Sequence, residues 1–381
     1  MTRHARWFSR RGLPAAMAAA LVLLVASPGL ARPLTVAVPP VQGLAFDPPP
    51  AVSAASWILY DDTYDVVLAS HEADAERPMA STTKMMTALV ALEAGRPDRR
   101  VVVSEEAAAA GEAEIGLVPG EELALDQLVT VLLIRSANDA AVAIAEAVSG
   151  GVEPFVAAMN ATASRLGLEH TRFTNPHGLD AEGHYSSAAD LLTIALAGME
   201  EPEFARAATA RAYLFPDAPD GSLRVGEATN RLLSEYDGAI GVKTGYTSPA
   251  GAVLVGAAER DGRRIYTVVM GSEYPDGHFA DATALLDYGF ESFGVIPLII
   301  EGESYGSHRS GDELVPLEAA GTVEAFVHLA GSGVLAPHLE LQNGAAVLVA
   351  GDDSIEAPVA TDGLRPLPGP IESLSWWWRG P

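Results

Sequence analysis

An apolar run headed by Ala80-Ser81-Thr82-Thr83-Lys84 constrains the fold more than any other stretch of this chain. Its leucine, valine and methionine residues, ended by Gly95 and Arg96-Pro97, predict one buried helix. Ser81 is expected at the N-cap or in the first turn, and it shares a helix face with Lys84. A desolvated lysine can take a proton from a hydroxyl. On this stretch alone, a capped core helix with a snorkelling lysine is the simpler interpretation.

Composition excludes several classes of function. The absence of cysteine from all 381 residues removes disulfides, thiolate metal sites and a cysteine nucleophile. A formal net charge of −26 argues against nucleic acid as a partner, because phosphate binding needs basic patches. Of the 24 cationic residues, 22 are arginine and two are lysine, Lys84 and Lys243. An apolar content of 49% predicts a globular chain with a large core.

The first 31 residues have the pattern of an export signal. A basic start precedes a short apolar segment, Leu13 to Val25, and small residues follow at Gly29-Leu30-Ala31. Ser9-Arg10-Arg11 weakly resembles a twin-arginine signal, although an ordinary export signal is favoured. Residues 32–50 are expected to form a proline-rich linker. The sequence therefore predicts a protein of the cell envelope, outside the cytoplasm.

Local patterns predict both helices and strands, and from Ala239 the pattern changes to strands. The expected helices are one opened by Ser104, one capped by Asp126, Phe155–Leu166, Leu191–Ala197 opened by Ser187, and Phe279–Tyr288. The expected strands are Ser56–Leu59, Val66–Ala69, Val101–Val103, Ala239–Tyr246, Ala252–Ala258 and Ile265–Met270, with a hairpin at Asp261-Gly262.

A catalytic domain is expected over 51–293 and a small β domain over 294–370. The tail, residues 371–381, contains Trp376-Trp377-Trp378-Arg379, which indicates either contact with a membrane interface or an aromatic cluster closing the β domain.

Polar residues punctuate the apolar elements at two further places. Ser136 and Asn138 lie in a short connector between two apolar helices, where ordinary capping would also explain them. Lys243-Thr244-Gly245 lies inside a predicted strand, and a glycine there often marks close approach by a ligand or another backbone. His177 and His184 lack a third ligand at metal spacing, so they are interpreted as structural or surface residues. No metal or organic cofactor is expected.

The motifs Ser81-x-x-Lys84, Ser136-x-Asn138 and Lys243-Thr244-Gly245, in this order, resemble those of the low-molecular-mass penicillin-binding proteins, the serine D-alanyl-D-alanine carboxypeptidases. The resemblance runs from about Ser53 to Phe293. It implies an α+β fold, in which an antiparallel sheet is flanked by helices and joined by a helical subdomain. It also implies a substrate, a peptidoglycan stem peptide ending in D-Ala-D-Ala, and covalent inhibition by β-lactam antibiotics.

The same resemblance implies a role for each motif residue. Ser81 would be the nucleophile, Lys84 its base, and Ser136 a proton relay to the leaving D-alanine. Asn138 would hold the substrate amide and orient Lys84. Lys243 would supply positive potential to the proton relay and to the substrate carboxylate, Thr244 would bond that carboxylate, and Gly245 would leave room for the peptide. The backbone amides of Ser81 and Tyr246 would form the oxyanion hole.

Three other functions remain open at this point. An endopeptidase that cuts peptidoglycan cross-links would use the same residues. A class A-like β-lactamase would need a glutamate that activates water, and Glu169, the nearest candidate, lacks the expected surrounding sequence. A catalytically silent wall-binding protein would not need an intact set of motifs.

Overall fold

The structure, a computed structural model, describes residues 48–299 together with short strands at 34–37 and between 304 and 377. The chain divides into two compact units. The first contains Pro49–Gly289, and the second contains the chain from Phe290 onwards together with strand β1 (Leu34–Ala37). The predicted export signal lies outside the described residues. Of the predicted linker, 34–37 form β1 because their main chain pairs with a strand almost three hundred residues later, which no local pattern indicates.

The first unit alternates short strands and helices before it ends in three long strands and a helix. In chain order its elements are β2 (Ser56–Asp61), β3 (Val66–His71), a 3₁₀ turn (Ala80–Thr82), α1 (Thr83–Glu93), β4 (Arg100–Val102), α2 (Glu105–Ala108), β5 (Glu122–Ala124), α3 (Leu125–Ile134), α4 (Asn138–Ser149), α5 (Val152–Leu166), α6 (Ala188–Met199), α7 (Pro202–Thr209), β6 (Ala212–Phe215), β7 (Arg224–Glu227), α8 (Leu232–Glu235), β8 (Ala239–Thr247), β9 (Gly251–Arg260), β10 (Arg263–Ser272) and α9 (Gly277–Ser292).

A five-stranded antiparallel sheet forms the centre of this unit, with strand order β3-β2-β10-β9-β8. The hairpin predicted at Asp261-Gly262 joins β9 to β10, and both residues have positive φ, 51° and 77°. Such angles suit the tight turns whose twist matches that of the flanking strands. Strand β8, which carries the lysine motif, is therefore an edge strand, with one side open to another element.

Helices cover both faces of the sheet. On one face, every second strand residue, for example Ile58, Tyr60 and Val268, belongs to the same core cluster as residues of α1 and of α3 to α7. On the opposite face, Gly289 of α9 packs against Leu59 and Ile265. Because both faces are covered, β9 and β10 are buried almost without interruption, as apolar strands require. The predicted class, an antiparallel sheet flanked by helices with a helical subdomain, is confirmed.

Helix starts were predicted with mixed success. Ser104 and Ser187 cap α2 and α6, each accepting a hydrogen bond from the amide three residues later, at 2.9 and 3.1 Å. Asp126 does not cap α3, and that prediction is wrong. The helix already begins at Leu125, where the Gln127 side chain accepts the Ala124 amide at 2.9 Å, so Asp126 falls inside the first turn.

Some elements have no predicted counterpart. The short helices α7 and α8, the strand β5 and the two-stranded ribbon β6–β7 were not predicted, whereas β4, the partner of β5, corresponds to the strand predicted at Val101–Val103. Within the described residues no single helix is long and apolar enough to cross a membrane; α4 and α5, bent by 85° to each other, meet the length and composition requirement only when taken together.

Apart from the end of α9, the described residues of the second unit form short strands. Those after α9 are β11 (Phe293–Ile299), β12 (Ser304–Ser310), β13 (Glu313–Glu318), β14 (Val323–His328), β15 (His338–Gln342), β16 (Ala345–Val349), β17 (Pro358–Val359) and β18 (Ser375–Trp377). They form sheets in the orders β1-β14-β11, β12-β13 and β17-β16-β15-β18. The tail strand β18 pairs Trp376 with Leu339 and Trp377 with His338. This main-chain pairing agrees with a tail that closes the β domain, and contact with a membrane stays a prediction.

Candidate active site

The 3₁₀ turn that precedes α1 presents Ser81. Ser81 lies in the first turn, as one of the two predictions for it had it, and it is not an N-cap. The N-cap residues of the 3₁₀ turn and of α1 are Met79 and Thr82, and neither makes a side-chain cap bond. Ser81 Oγ lies 2.9 Å from Lys84 Nζ. The turn also contains Ala80 with φ at 48°, a left-handed conformation that residues with a side chain rarely adopt. Ser81 therefore follows a constrained backbone position.

Lys84 is completely buried. Burial, reinforced by the charge of Lys243, holds the pKa of Lys84 well below its usual range, which favours the neutral amine. Its Nζ donates to the carbonyl oxygen of His177 at 2.5 Å. A neutral amine bound in this way keeps a lone pair that can accept the proton of Ser81. The geometry and the charge state together suit a general base.

The turn at residues 175–179 places the His177 carbonyl beside Lys84 Nζ. Asn175 Oδ1 accepts the amides of His177 and Gly178 at 3.2 and 2.7 Å, and Thr87 of α1 donates to the Pro176 carbonyl at 2.6 Å. From the sequence, His177 was interpreted only as a structural or surface residue, and its carbonyl was given no function. The signal available was the Asn-Pro-His-Gly pattern itself, which indicates a turn but not its neighbour.

The connector between α3 and α4 supplies the second motif. Ser136 adopts φ of 66°, and its Oγ is buried without a hydrogen-bond partner among the described residues. A buried hydroxyl without a partner is costly unless a substrate or water completes it. Asn138 begins α4, which packs against α1. Its main-chain amide donates to Ala113 and its Nδ2 to Gly111, at 2.6 and 3.1 Å. One N–H of the Asn138 side chain is thus used inside the protein.

Asp139, the next residue, is a site residue that sequence analysis missed. It is 1% exposed, and its carboxylate accepts the main-chain amides of Ile115, Gly116 and Leu117 at 3.0 to 3.3 Å. Asn138 and Asp139 together therefore fasten the loop at 111–117 to the start of α4. This position is visible only in three dimensions, because the loop and the carboxylate are more than twenty residues apart.

The third motif lies on β8, beside the serine turn. Lys243 is buried, and burial lowers its pKa to about 7. Its Nζ donates to the Thr244 carbonyl at 2.9 Å, and the Thr244 hydroxyl lies 2.7 Å from that of Thr229. A Cβ added to Gly245 would stand 2.8 Å from the Ser81 nitrogen. The predicted close approach at Gly245 is therefore made by the backbone of the serine turn.

Other sequence candidates lie around this centre. Tyr246 is 46% exposed, and its ring stacks on that of Tyr274 with centroids 4.0 Å apart. His184, interpreted from the sequence as a structural or surface residue, is buried, whereas Glu169 is exposed in the turn after α5. In the part of the chain that the structure describes, no three histidine, aspartate or glutamate side chains are grouped as metal ligands.

Comparisons with known proteins agree on one family. A family model described as D-alanyl-D-alanine carboxypeptidase, Peptidase_S11, matches residues 44–274, a region that contains all three motifs. The chain is 37% identical over 254 residues to the D-alanyl-D-alanine carboxypeptidase DacF of Bacillus subtilis, and the alignment covers 65% of each protein. It is 33% identical over 360 residues to the D-alanyl-D-alanine carboxypeptidase DacD of Salmonella typhimurium, covering 90% of this chain and 86% of that one.

A solved structure shows the same fold. The Streptomyces K15 DD-transpeptidase is 32% identical, with a TM-score of 0.61, and the match covers 64% of this chain and 99% of that one. The resemblance drawn from the three motifs is thereby confirmed. The chain belongs to the D-alanyl-D-alanine carboxypeptidase family, Peptidase_S11.

Proposed function

We propose that this chain is a serine D,D-carboxypeptidase that removes the terminal D-alanine from peptidoglycan stem peptides through an acyl-enzyme. One observation carries the proposal: a buried lysine with a lowered pKa lies 2.9 Å from a half-buried serine at the start of a helix. A base within hydrogen-bond reach of the proton that it removes is the geometric requirement for this chemistry. The family and its D-alanyl-D-alanine carboxypeptidase members support the substrate class.

In the acylation step, Lys84 takes the proton of Ser81 as Oγ attacks the carbonyl carbon of the penultimate D-alanine. The amides of Ser81 and Tyr246 receive the developing oxyanion, and each such donor contributes roughly 3–4 kcal/mol to transition-state stabilisation. The carbon–nitrogen bond then breaks, and Ser136 passes the proton to the leaving amine. The unpartnered Ser136 hydroxyl supports this assignment, because the leaving group would complete its hydrogen bonding.

Lys243 and Thr244 bind the terminal carboxylate of the substrate. Burial disfavours the charged form of Lys243, and a bound carboxylate would stabilise that charged form by electrostatic attraction. Asn138 holds the substrate amide, and the absence of a side chain at Gly245 lets β8 lie against the serine turn beside an extended peptide. Water then attacks the ester, which releases the shortened peptide and regenerates the Ser81 hydroxyl.

Labelled penicillin followed by a denaturing gel tests this proposal, with D-alanine release from a D-Ala-D-Ala peptide measured beside it. The parent protein should form a stable adduct and release D-alanine, and Ser81→Ala should do neither. A parent without an adduct would indicate a silent wall-binding protein. Rapid loss of the adduct would indicate a β-lactamase, and cleavage of a cross-linked peptide without D-alanine release an endopeptidase.

We also propose that the protein is exported and begins near Arg32 after processing, on the evidence of the basic, apolar and small-residue pattern of residues 1–31. Sequencing the N-terminus of exported protein tests this, and an intact Met1 would contradict it. The tryptophan-rich tail is proposed to touch the membrane interface. Tail deletion should then move the processed protein to the soluble fraction; lower stability with unchanged partitioning would favour an aromatic cluster instead.

A further inference from the structure

A chain of buried hydrogen bonds leads from His184 to the backbone directly before Ser81. Thr83 Oγ1 donates to the Ala80 carbonyl at 2.8 Å and lies 2.8 Å from His184 Nε2. On the far side of the ring, His184 Nδ1 accepts the Thr174 amide at 3.1 Å. Thr83 is fully buried and His184 is 6% exposed. None of the three sequence motifs includes His184.

The partners determine the direction of every bond in this chain. The Thr83 hydroxyl has one proton, which it donates to the Ala80 carbonyl, so it accepts from His184. Because His184 Nδ1 accepts an amide, its ring proton must be on Nε2, the atom that faces Thr83. Burial, followed by the charges of His177 and Lys84, lowers the pKa of His184 to about 4, and the ring is therefore neutral at neutral pH.

This chain ends on the peptide group that contains the Ser81 amide. A peptide group is rigid and planar, and in the trans form its C=O and N–H point in opposite directions. Fixing the Ala80 oxygen therefore fixes the direction of the Ser81 N–H. Ala80 is held in the left-handed region, and Gly178 packs so closely that a Cβ there would stand 2.0 Å from the Ala80 oxygen. The opposite end of the same plane lies beside Gly245 of β8.

We propose that Thr83 and His184 are positioning residues that orient the Ala80–Ser81 peptide, so that the Ser81 amide is aimed at the developing oxyanion. Neither side chain touches the substrate. This inference rests on the proposed function, since it assigns a purpose to an amide of the oxyanion hole. Preorganised donors stabilise a transition state only when they are already in place as charge develops, and a buried hydrogen-bond chain keeps this one in place.

Paired substitutions at Thr83 test the inference. Thr83→Val keeps the branched shape and removes the hydroxyl, whereas Thr83→Ser keeps the hydroxyl and removes the methyl group. With labelled penicillin, Thr83→Val should lower the acylation rate constant about 10- to 100-fold. The dissociation constant of the preceding non-covalent complex should stay the same. Thr83→Ser should acylate at close to the parental rate, after circular dichroism has confirmed that both variants are folded.

The possible outcomes separate the positioning role from the carboxypeptidase activity. An adduct in the parent with equal acylation by Thr83→Val and the parent would overturn the positioning role and leave the carboxypeptidase proposal intact. Equal losses in Thr83→Val and Thr83→Ser would also overturn it, because packing and not the hydroxyl would then be responsible. If Thr83→Val does not fold, His184→Leu and His184→Gln decide the question. Glutamine can donate a hydrogen bond to Thr83 and leucine cannot. Slower acylation by His184→Leu than by His184→Gln supports the inference, and equal rates in the two variants overturn it.

Discussion

Replacing Gly245 with alanine tests directly whether β8 lies against the serine turn. The added Cβ would stand 2.8 Å from the Ser81 nitrogen, 3.0 Å from Ala80 Cβ and 3.2 Å from the Thr82 nitrogen. Two of these three atoms are backbone, and the turn that contains them is anchored by Thr83. No flexible side chain is available to move aside, so either the turn or the strand must shift.

The size of the effect follows from these distances. Ordinary van der Waals contact begins at 3.4 Å, so the strand and the turn must separate by about 0.6 Å. Overpacking of this kind lowers the free energy of unfolding by about 1–3 kcal/mol. Since a displacement of about 1 Å at a reacting group costs up to about 100-fold in rate, we expect acylation by penicillin to slow about 10- to 100-fold.

Gly226→Ala is the matched control. Gly226 is also a buried strand glycine, but the nearest atom to an added Cβ would be Val131 Cγ2 at 3.6 Å, an ordinary contact. This variant should keep the parental acylation rate and urea midpoint. Acylation rates from a labelled-penicillin time course and urea unfolding curves measure both quantities. Parental values for Gly245→Ala would refute the proposed packing of β8 on the serine turn.

Further predictions concern the buried charges. Lys84→Arg should slow acylation about 10²- to 10⁴-fold, because arginine cannot lose its proton, and equal acylation by this variant and the parent would show that Lys84 is not the base. Lys243→Arg should weaken turnover because the arginine side chain fits poorly, but acylation should remain measurable. Because burial lowers the pKa of Lys243 to about 7, rising pH removes the charge that faces the substrate carboxylate. The KM for a D-Ala-D-Ala peptide should therefore rise above about pH 7 in the parent and stay level in Lys243→Arg; a flat parental profile would contradict this. Asp139→Ala should leave three loop amides without their acceptor and lower the free energy of unfolding by about 1–3 kcal/mol or more, measured by urea denaturation; an unchanged urea midpoint would contradict the anchoring role.

Features determined by neighbouring residues were predictable from the sequence. The Asp261-Gly262 hairpin and the Ser187 cap depend on a few adjacent residues, and both are present. Asp126 shows the limit of such reasoning, since two residues that can both begin a helix stand close together and Gln127 is the one that bonds the start. The strand β5 and the ribbon β6–β7 were missed because short strands rely on long-range packing more than on their own pattern.

In the candidate active site, too, local features were predictable and long-range ones were not. The motif residues Ser81 and Lys84 were recognisable because their spacing on one helix brings their side chains together. The left-handed backbone at Ala80 was not, since alanine gives no sign of it and Gly178, almost a hundred residues later, is what accommodates it. Asp139 was missed for a related reason, because the amides that it binds belong to a loop whose position depends on the whole fold. The contacts of His184 with Thr83 Oγ1 and the Thr174 amide depend on the fold in the same way, and its sequence context indicated only a structural or surface residue.

The burial of both lysines gives this protein an internal reporter of unfolding. Lys84 and Lys243 are at most 1% exposed, and the sequence contains no other lysine. A protease that cuts only after lysine therefore has no accessible bond in the native catalytic unit, although it has two in the unfolded chain. One bond lies within a core helix and the other within a sheet strand, so digestion requires the core to open. The digestion rate of each variant would then measure how often the catalytic unit opens, without any added label.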